Sequence, residues 1–120
     1  MRLAVVLALL TLPTLTVAQT RERGSILFLQ CRACHTLKLG EPDKVGPNLH
    51  RMFTRAPLAA PGYTYSAAFV AAKPRWTPML LDRWLERPSA MLKGTTMAFR
   101  GIAKSNDRTA LIAWLQATTK

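Results

Sequence analysis

The sequence predicts an all-α fold of three to four short helices joined by long loops, built as a single domain. Three observations carry this. Apolar residues recur at spacings of three and four in several short stretches, the period of a helix face. No stretch alternates apolar and polar residues with the period of two that a half-buried strand requires. Proline and glycine crowd the connections: Gly40, Pro42, Gly46, Pro47, Pro57, Pro61 and Gly62 all fall within residues 35–64. In a compact domain a loop of that length wraps something or serves a function.

The elements follow in order. Met1-Arg2 is a positive start, residues 3–12 are apolar except for Thr11, and Pro13 is expected to break any helix there. Thr16-Val17-Ala18 suits a signal-peptidase site. Residues 1–18 therefore read as a signal peptide and 19–120 as the mature domain. The apolar run is about half the ~20 residues a bilayer span needs. Removing it places the mature protein outside the cytosol, in the periplasm. Residues 24–34 read as a first helix with Ile26, Leu27 and Leu29 as its apolar contacts. Ser66 caps a short helical run over 67–73, which Pro74 ends. Thr77-Pro78 is a strong start signal, and residues 79–87 follow as a helix stopped by Pro88, with Leu81, Trp84 and Leu85 on one face. Residues 89–102 read as loop. Ser105 or Asn106 then caps a last helix to about Thr118, with Leu111, Ile112, Trp114 and Leu115 at helical spacing. The apolar residues are too few to pack alone, and a large apolar prosthetic group would supply the missing core.

Composition narrows the chemistry. Two cysteines are too few for a disulfide scaffold or a four-cysteine zinc site. Six carboxylates leave little material for a two-carboxylate hydrolase or a calcium cage. Lys and Arg number 17, and the net charge of +11 points to an anionic partner: acidic protein, nucleic acid or lipid headgroups.

Cys31-Arg32-Ala33-Cys34-His35 is the most informative run. It places two thiols about one helical turn apart, where each can add to one vinyl group of a haem, and the adjacent imidazole then reaches the iron. The alternatives are weaker. A thioredoxin-like pair needs a strand before it, and a zinc site needs two more ligands, of which His50 is the one other good candidate. For the second axial position the candidates are Met52, Met79, Met91, Met97 and His50. Met97 lies in Lys93-Gly94-Thr95-Thr96-Met97-Ala98-Phe99, a loop able to lay a thioether over the ring face, and it is the favoured one. Iron held by His35 and Met97 has both axial positions filled, which favours one-electron exchange over substrate turnover, so no enzyme activity is expected.

These residues resemble the class I c-type cytochromes, the mitochondrial type and its bacterial relatives, over nearly all of residues 24–120. The resemblance implies the class I fold around one covalently bound haem c, with thioethers from Cys31 and Cys34 and iron ligands His35 and Met97. Val45-Gly46-Pro47-Asn48-Leu49-His50 is similar to the family's Gly-Pro-Asn-Leu loop, which implies that the Pro47 carbonyl orients His35. It also implies that Arg55, Tyr65, Trp76 and Thr95 sit near the haem propionates and that Phe99 covers the haem edge. Gly24 and Phe28 are expected to meet Leu111 and Trp114 where the first and last helices cross. There are departures. Arg51 and Thr54 replace glycines that the family often has, and Phe69 replaces a polar residue inside the haem pocket.

The resemblance further implies docking through a basic ring around the exposed haem edge, where Arg32, Lys44, Arg87, Lys93, Arg100 and Lys104 would lie. The expected protein is a soluble, monomeric electron carrier. Its partners would be acidic redox proteins: a membrane cytochrome complex, a terminal oxidase or a periplasmic dehydrogenase. No nucleic-acid partner is expected, since Trp76, Trp84 and Trp114 hold core-like positions. Two alternatives stand: a dedicated haem subunit of a periplasmic dehydrogenase, or a haem enzyme or sensor with a labile methionine.

Overall fold

A computed structural model describes residues 13–120. Met1 to Leu12, most of the expected signal peptide, lie outside the described residues. The elements are α1 (Pro13–Phe28), continued by a 3-10 turn (Leu29–Cys31), then α2 (Ala67–Ala72), α3 (Pro78–Glu86), α4 (Pro88–Met91) and α5 (Ser105–Thr118). Among the described residues there is no strand.

Local chemistry explains α2 and α3 as expected. The Ser66 hydroxyl accepts from the Phe69 amide at 3.3 Å, and the Thr77 hydroxyl accepts from the Leu80 amide at 3.1 Å. Pro78 takes the first turn of α3, and Leu81, Trp84 and Leu85 are its buried face. Other boundaries differ from the sequence expectation. From Pro13 onward the chain is helical, and the expected break between Pro13 and the preceding apolar run lies outside the described residues. The α-helix then ends at Phe28 and tightens through Cys31, short of Cys34. Pro88 ends α3 and opens α4, a helical turn where loop was expected. Lys104 stands at the N-cap of α5 without a side-chain cap bond, so neither Ser105 nor Asn106 serves. Asp107 offers negative charge to that first turn instead.

The inward face of α1 also differs. Ile26 and Leu29 are about half exposed, at 51% and 56%. Leu27 is packed beside the core, and the residue seated deepest is Phe28. Its ring lies 5.1 Å from that of Trp114, where α1 crosses α5. Gly24, one turn earlier, lets the helices touch: a Cβ there would meet the Trp114 Cβ and come within 2.5 Å of the Ala110 carbonyl oxygen. The bidentate Arg23–Asp107 pair, at 2.9–3.0 Å, closes the same crossing from outside. Gly24→Ala is expected to force the helices apart and cost about 1–3 kcal/mol, read as a lower urea midpoint for the holoprotein.

The core gathers Phe28, Met52, Leu81, Trp84, Leu85, Ile102, Leu111, Ile112 and Leu115. Met52 reaches it through an unusual turn. Arg51 adopts the left-handed conformation (φ 54°), and its amide donates to the Thr119 carbonyl at 2.7 Å. A side chain in that conformation carries a local backbone cost. The core does not close. Phe28, Met52, Leu81, Trp84, Leu85, Leu111 and Leu115 all border a large cavity.

Candidate functional site

The cavity is open to solvent on one side. Cys31, Cys34, His35, Pro47, Arg55, Tyr65, Trp76, Thr95, Met97 and Phe99 all lie on its wall. The structure therefore brings together every site residue named from the sequence. Of the five axial-ligand candidates only Met52 and Met97 line it; His50, Met79 and Met91 do not. Met79 is 70% exposed on the outside of α3.

The thiol motif is wound as a turn. The Cys34 and His35 amides both donate to the Cys31 carbonyl, at 3.1 and 2.9 Å. The two cysteines do not form a disulfide with each other. Burial and then Cys34 push the Cys31 thiol up to about 11, so it stays protonated until it reacts. His35 Nδ1 lies 2.8 Å from the Pro47 carbonyl oxygen. A carbonyl only accepts, so Nδ1 carries the proton and Nε2 keeps its lone pair for a metal. Burial lowers the His35 pKa against the opposing pull of that hydrogen bond, which keeps the imidazole in the neutral form that ligation needs.

The loop behind His35 is built to hold this contact. Gly46 donates its amide to the Cys34 carbonyl at 2.8 Å. A Cβ on Gly46 would run into the His35 ring, 2.8 Å from Nδ1, so no side chain fits there. Asn48, 7% exposed, ties the loop from inside: its side-chain amide donates to the Lys38 and Glu41 carbonyls and its oxygen accepts from the His50 amide. Its own amide donates to Asp43 at 2.6 Å.

The far wall is aromatic. Tyr65 accepts from the Ala60 amide at 3.1 Å and packs edge-on to Tyr63 at 4.9 Å, while the Tyr63 hydroxyl donates to the Val45 carbonyl at 2.9 Å. Phe69 meets the Trp84 ring edge-on at 5.2 Å, with Trp76 5.7 Å from Trp84. Arg55 donates to the His50 carbonyl at 3.0 Å, and the Thr95 hydroxyl accepts from the Met97 amide at 3.3 Å. Sequence reasoning missed Gly46 and Tyr63 as wall residues. The Gly-Pro pair marks a turn, and nothing local says what the glycine abuts. Tyr63 stands two residues before Tyr65, a spacing that only the turned loop makes meaningful.

The wall fits a haem. Two unpaired thiols and an imidazole with a free Nε2 lie on one apolar cavity, while the indole of Trp76 makes no hydrogen bond among the described residues. A strand-free frame closed around such a cavity is that of a class I mono-haem c-type cytochrome. Relatives agree. The chain is 42% identical to cytochrome c of Stellaria longipes over 100 residues, covering 82% of this chain and 93% of the relative. It is 36% identical to cytochrome c of Kluyveromyces lactis over 102 residues, with 84% and 93% covered. It is 34% identical to a cytochrome c homolog of Bradyrhizobium diazoefficiens over 100 residues, 82% of this chain and 54% of that longer protein. No protein-family model matches. The chain belongs to the cytochrome c family, and it is an electron-transfer protein with one covalent haem c.

Proposed function

We propose that this protein is an exported one-electron shuttle of the periplasm, carrying electrons between acidic redox partners of a respiratory or related chain. Cys31 and Cys34 would hold the haem by thioethers, and His35 and Met97 would bind its iron. Bound haem c supplies a reversible one-electron couple at iron. The chain's own residues do the rest. Pro47 fixes the His35 tautomer, Gly46 and Asn48 fix the ring's seat, and Arg55, Tyr65, Trp76 and Thr95 offer donors toward the propionates. Phe99 and Phe69 keep water from the edge and the interior. Met97 is preferred to Met52 because Met52, 5% exposed, is spent in the core, whereas Met97 is on a loop. With His35 and Met97 both on the iron, no ligand position would be left for a substrate, so turnover is not expected.

His35 carries this assignment: its 2.8 Å tie to Pro47 leaves one nitrogen free on the cavity that both thiols share. Charge supports the partner class. Among the described residues only Arg23 and Arg108 are ion-paired, and their partners are Asp107 and Asp82. Glu41 and Asp43 are occupied with backbone amides. Arg32, Lys44, Arg87, Lys93, Arg100 and Lys104 are exposed and make no ion pair among the described residues, a field suited to steering toward an acidic surface. Export rests on the apolar run and Thr16-Val17-Ala18; cleavage after Ala18 would leave the Gly24 crossing intact.

The test is expression with the native N-terminus in a bacterial host that matures c-type haem. The expected product is periplasmic, begins near Gln19 and shows the reduced spectrum of a c-type haem. Its electron exchange with an acidic redox protein should slow about tenfold between low and physiological ionic strength. Retention in the cytosol would refute export, and co-purification with one dehydrogenase at high salt would refute a free shuttle.

A further inference from the structure

Leu92, Met97 and Phe99 pack the Met97 loop on the core, but hydrogen bonds tie it to the rest of the fold at one end. Every hydrogen bond made by residues 93–101 is local: Thr95 amide to Leu92 carbonyl, Met97 amide to the Thr95 hydroxyl, Phe99 amide to Met97 carbonyl. The first bond that leaves the loop is at Ile102, whose amide donates to the Leu85 carbonyl at 2.7 Å. There Arg108 takes over. Its Nη1 donates to both the Ile102 and Ala103 carbonyls, at 2.9 and 3.0 Å. Its Nε donates to Asp82 Oδ1 at 2.7 Å and its Nη2 reaches Oδ2 at 3.4 Å. The Arg108 side chain is 7% exposed and Asp82 37%. A single guanidinium thus joins α5, α3 and the loop's end. Two glycines in left-handed conformations, Gly94 (φ 87°) and Gly101 (φ 103°), bracket the segment between them. Gly101 is pressed so closely on the Glu86 carbonyl that a Cβ would collide with it.

We propose that Asp82 and Arg108 are positioning residues for Met97: their ion pair clamps the loop's foot and sets how often the segment 94–101 swings off the cavity. The proposal rests on Met97 being an iron ligand. Asp82 does not touch the cavity wall; it acts by holding the guanidinium in the one orientation that binds two loop carbonyls. Without it, Arg108 keeps its charge in a nearly buried place and loses its direction. The open fraction of the loop then rises, and a ligand that binds only the open form gains apparent affinity by the same factor.

The test is imidazole binding to the ferric holoprotein, followed in the visible spectrum, for the wild type, Asp82→Asn, Arg108→Lys and Asp107→Asn. Asp107→Asn removes the other ion pair of α5, which ties it to Arg23 of α1 and not to the loop, and controls for general loss of stability. Asp82→Asn is expected to bind imidazole about tenfold more tightly, with the Ile102 amide exchanging with solvent about tenfold faster. Arg108→Lys, which keeps the charge but not the fork, should fall between it and the wild type. Asp107→Asn should stay within about twofold of wild type. Equal affinities for Asp82→Asn and wild type, or an equal gain in Asp107→Asn, would overturn the clamp. A wild-type protein without the sulfur–iron band would overturn the Met97 ligand and the clamp together, and so separates the two failures.

Discussion

Met97→Ala should lower the reduction potential by an amount on the order of a few tenths of a volt while the haem stays covalently attached. The thioether is a neutral, soft ligand that favours the reduced iron. Alanine leaves the position to water or to an added ligand, and both favour the oxidised form more. The structure makes this a clean deletion. Met97 is only partly buried, its loop bonds are to its own neighbours, and its amide and carbonyl bonds to Thr95 and Phe99 do not involve the side chain. The fold should therefore survive. Cyanide or imidazole should bind the variant without first displacing a protein ligand, and the weak sulfur–iron band of the oxidised protein should vanish. Met52→Leu is the matching control. Met52 lies in the core at 5% exposure, so its replacement should cost stability, of order 1 kcal/mol, and leave the potential nearly unmoved. A Met97→Ala protein that retains the band and the potential has another ligand, and Met52 is then the one to test.

How much of this was readable in the sequence depends on how local each device is. Ser66 and Thr77 are caps, and a cap acts within its own helical turn; α2 and α3 were legible for that reason. Pro88 misled because a proline that ends one helix is equally suited to begin another. The crossing of α1 with α5 at Gly24 and Phe28 was legible through the resemblance, whereas Ile26 and Leu29 were misread as inward. They are the more apolar choices, but Gly24 decides the geometry, since only a residue without a Cβ lets α1 lie against Trp114 and Ala110. The cavity wall was legible through the thiol motif and the resemblance, which together named ten residues that the fold places on one surface. Gly46 and the Asp82–Arg108 pair were not. Each depends on a partner distant in sequence, 26 residues away for the ion pair, and a residue's own neighbours carry no trace of such a partner.

The double substitution Cys31→Ala with Cys34→Ala should abolish covalent haem and with it most of the ordered fold. Seven residues of the core cluster, Phe28, Leu81 and Leu111 among them, have one side on the cavity. With nothing in it, these residues face solvent or a void, and their packing is lost on that side. For a single small domain the total stability is about 5–15 kcal/mol, and the loss of such an occupant is of the same order. The expected readings are a haem removed entirely by acid–organic extraction and a far-UV circular dichroism signal well below that of the wild type. Excess free haem should restore part of the helical signal, since His35 and the cavity wall remain. A single Cys34→Ala variant should sit between, with one thioether and a lower thermal midpoint. The order of these three proteins also separates two roles of the cysteines. If they served only to retain the cofactor, excess haem would return the double variant fully to wild-type stability. If attachment also orients the turn over Cys31, Cys34 and His35, a deficit will remain at saturating haem. The His35 amide bond to the Cys31 carbonyl and the Gly46 amide bond to the Cys34 carbonyl lie in that turn, so the deficit is the expected outcome.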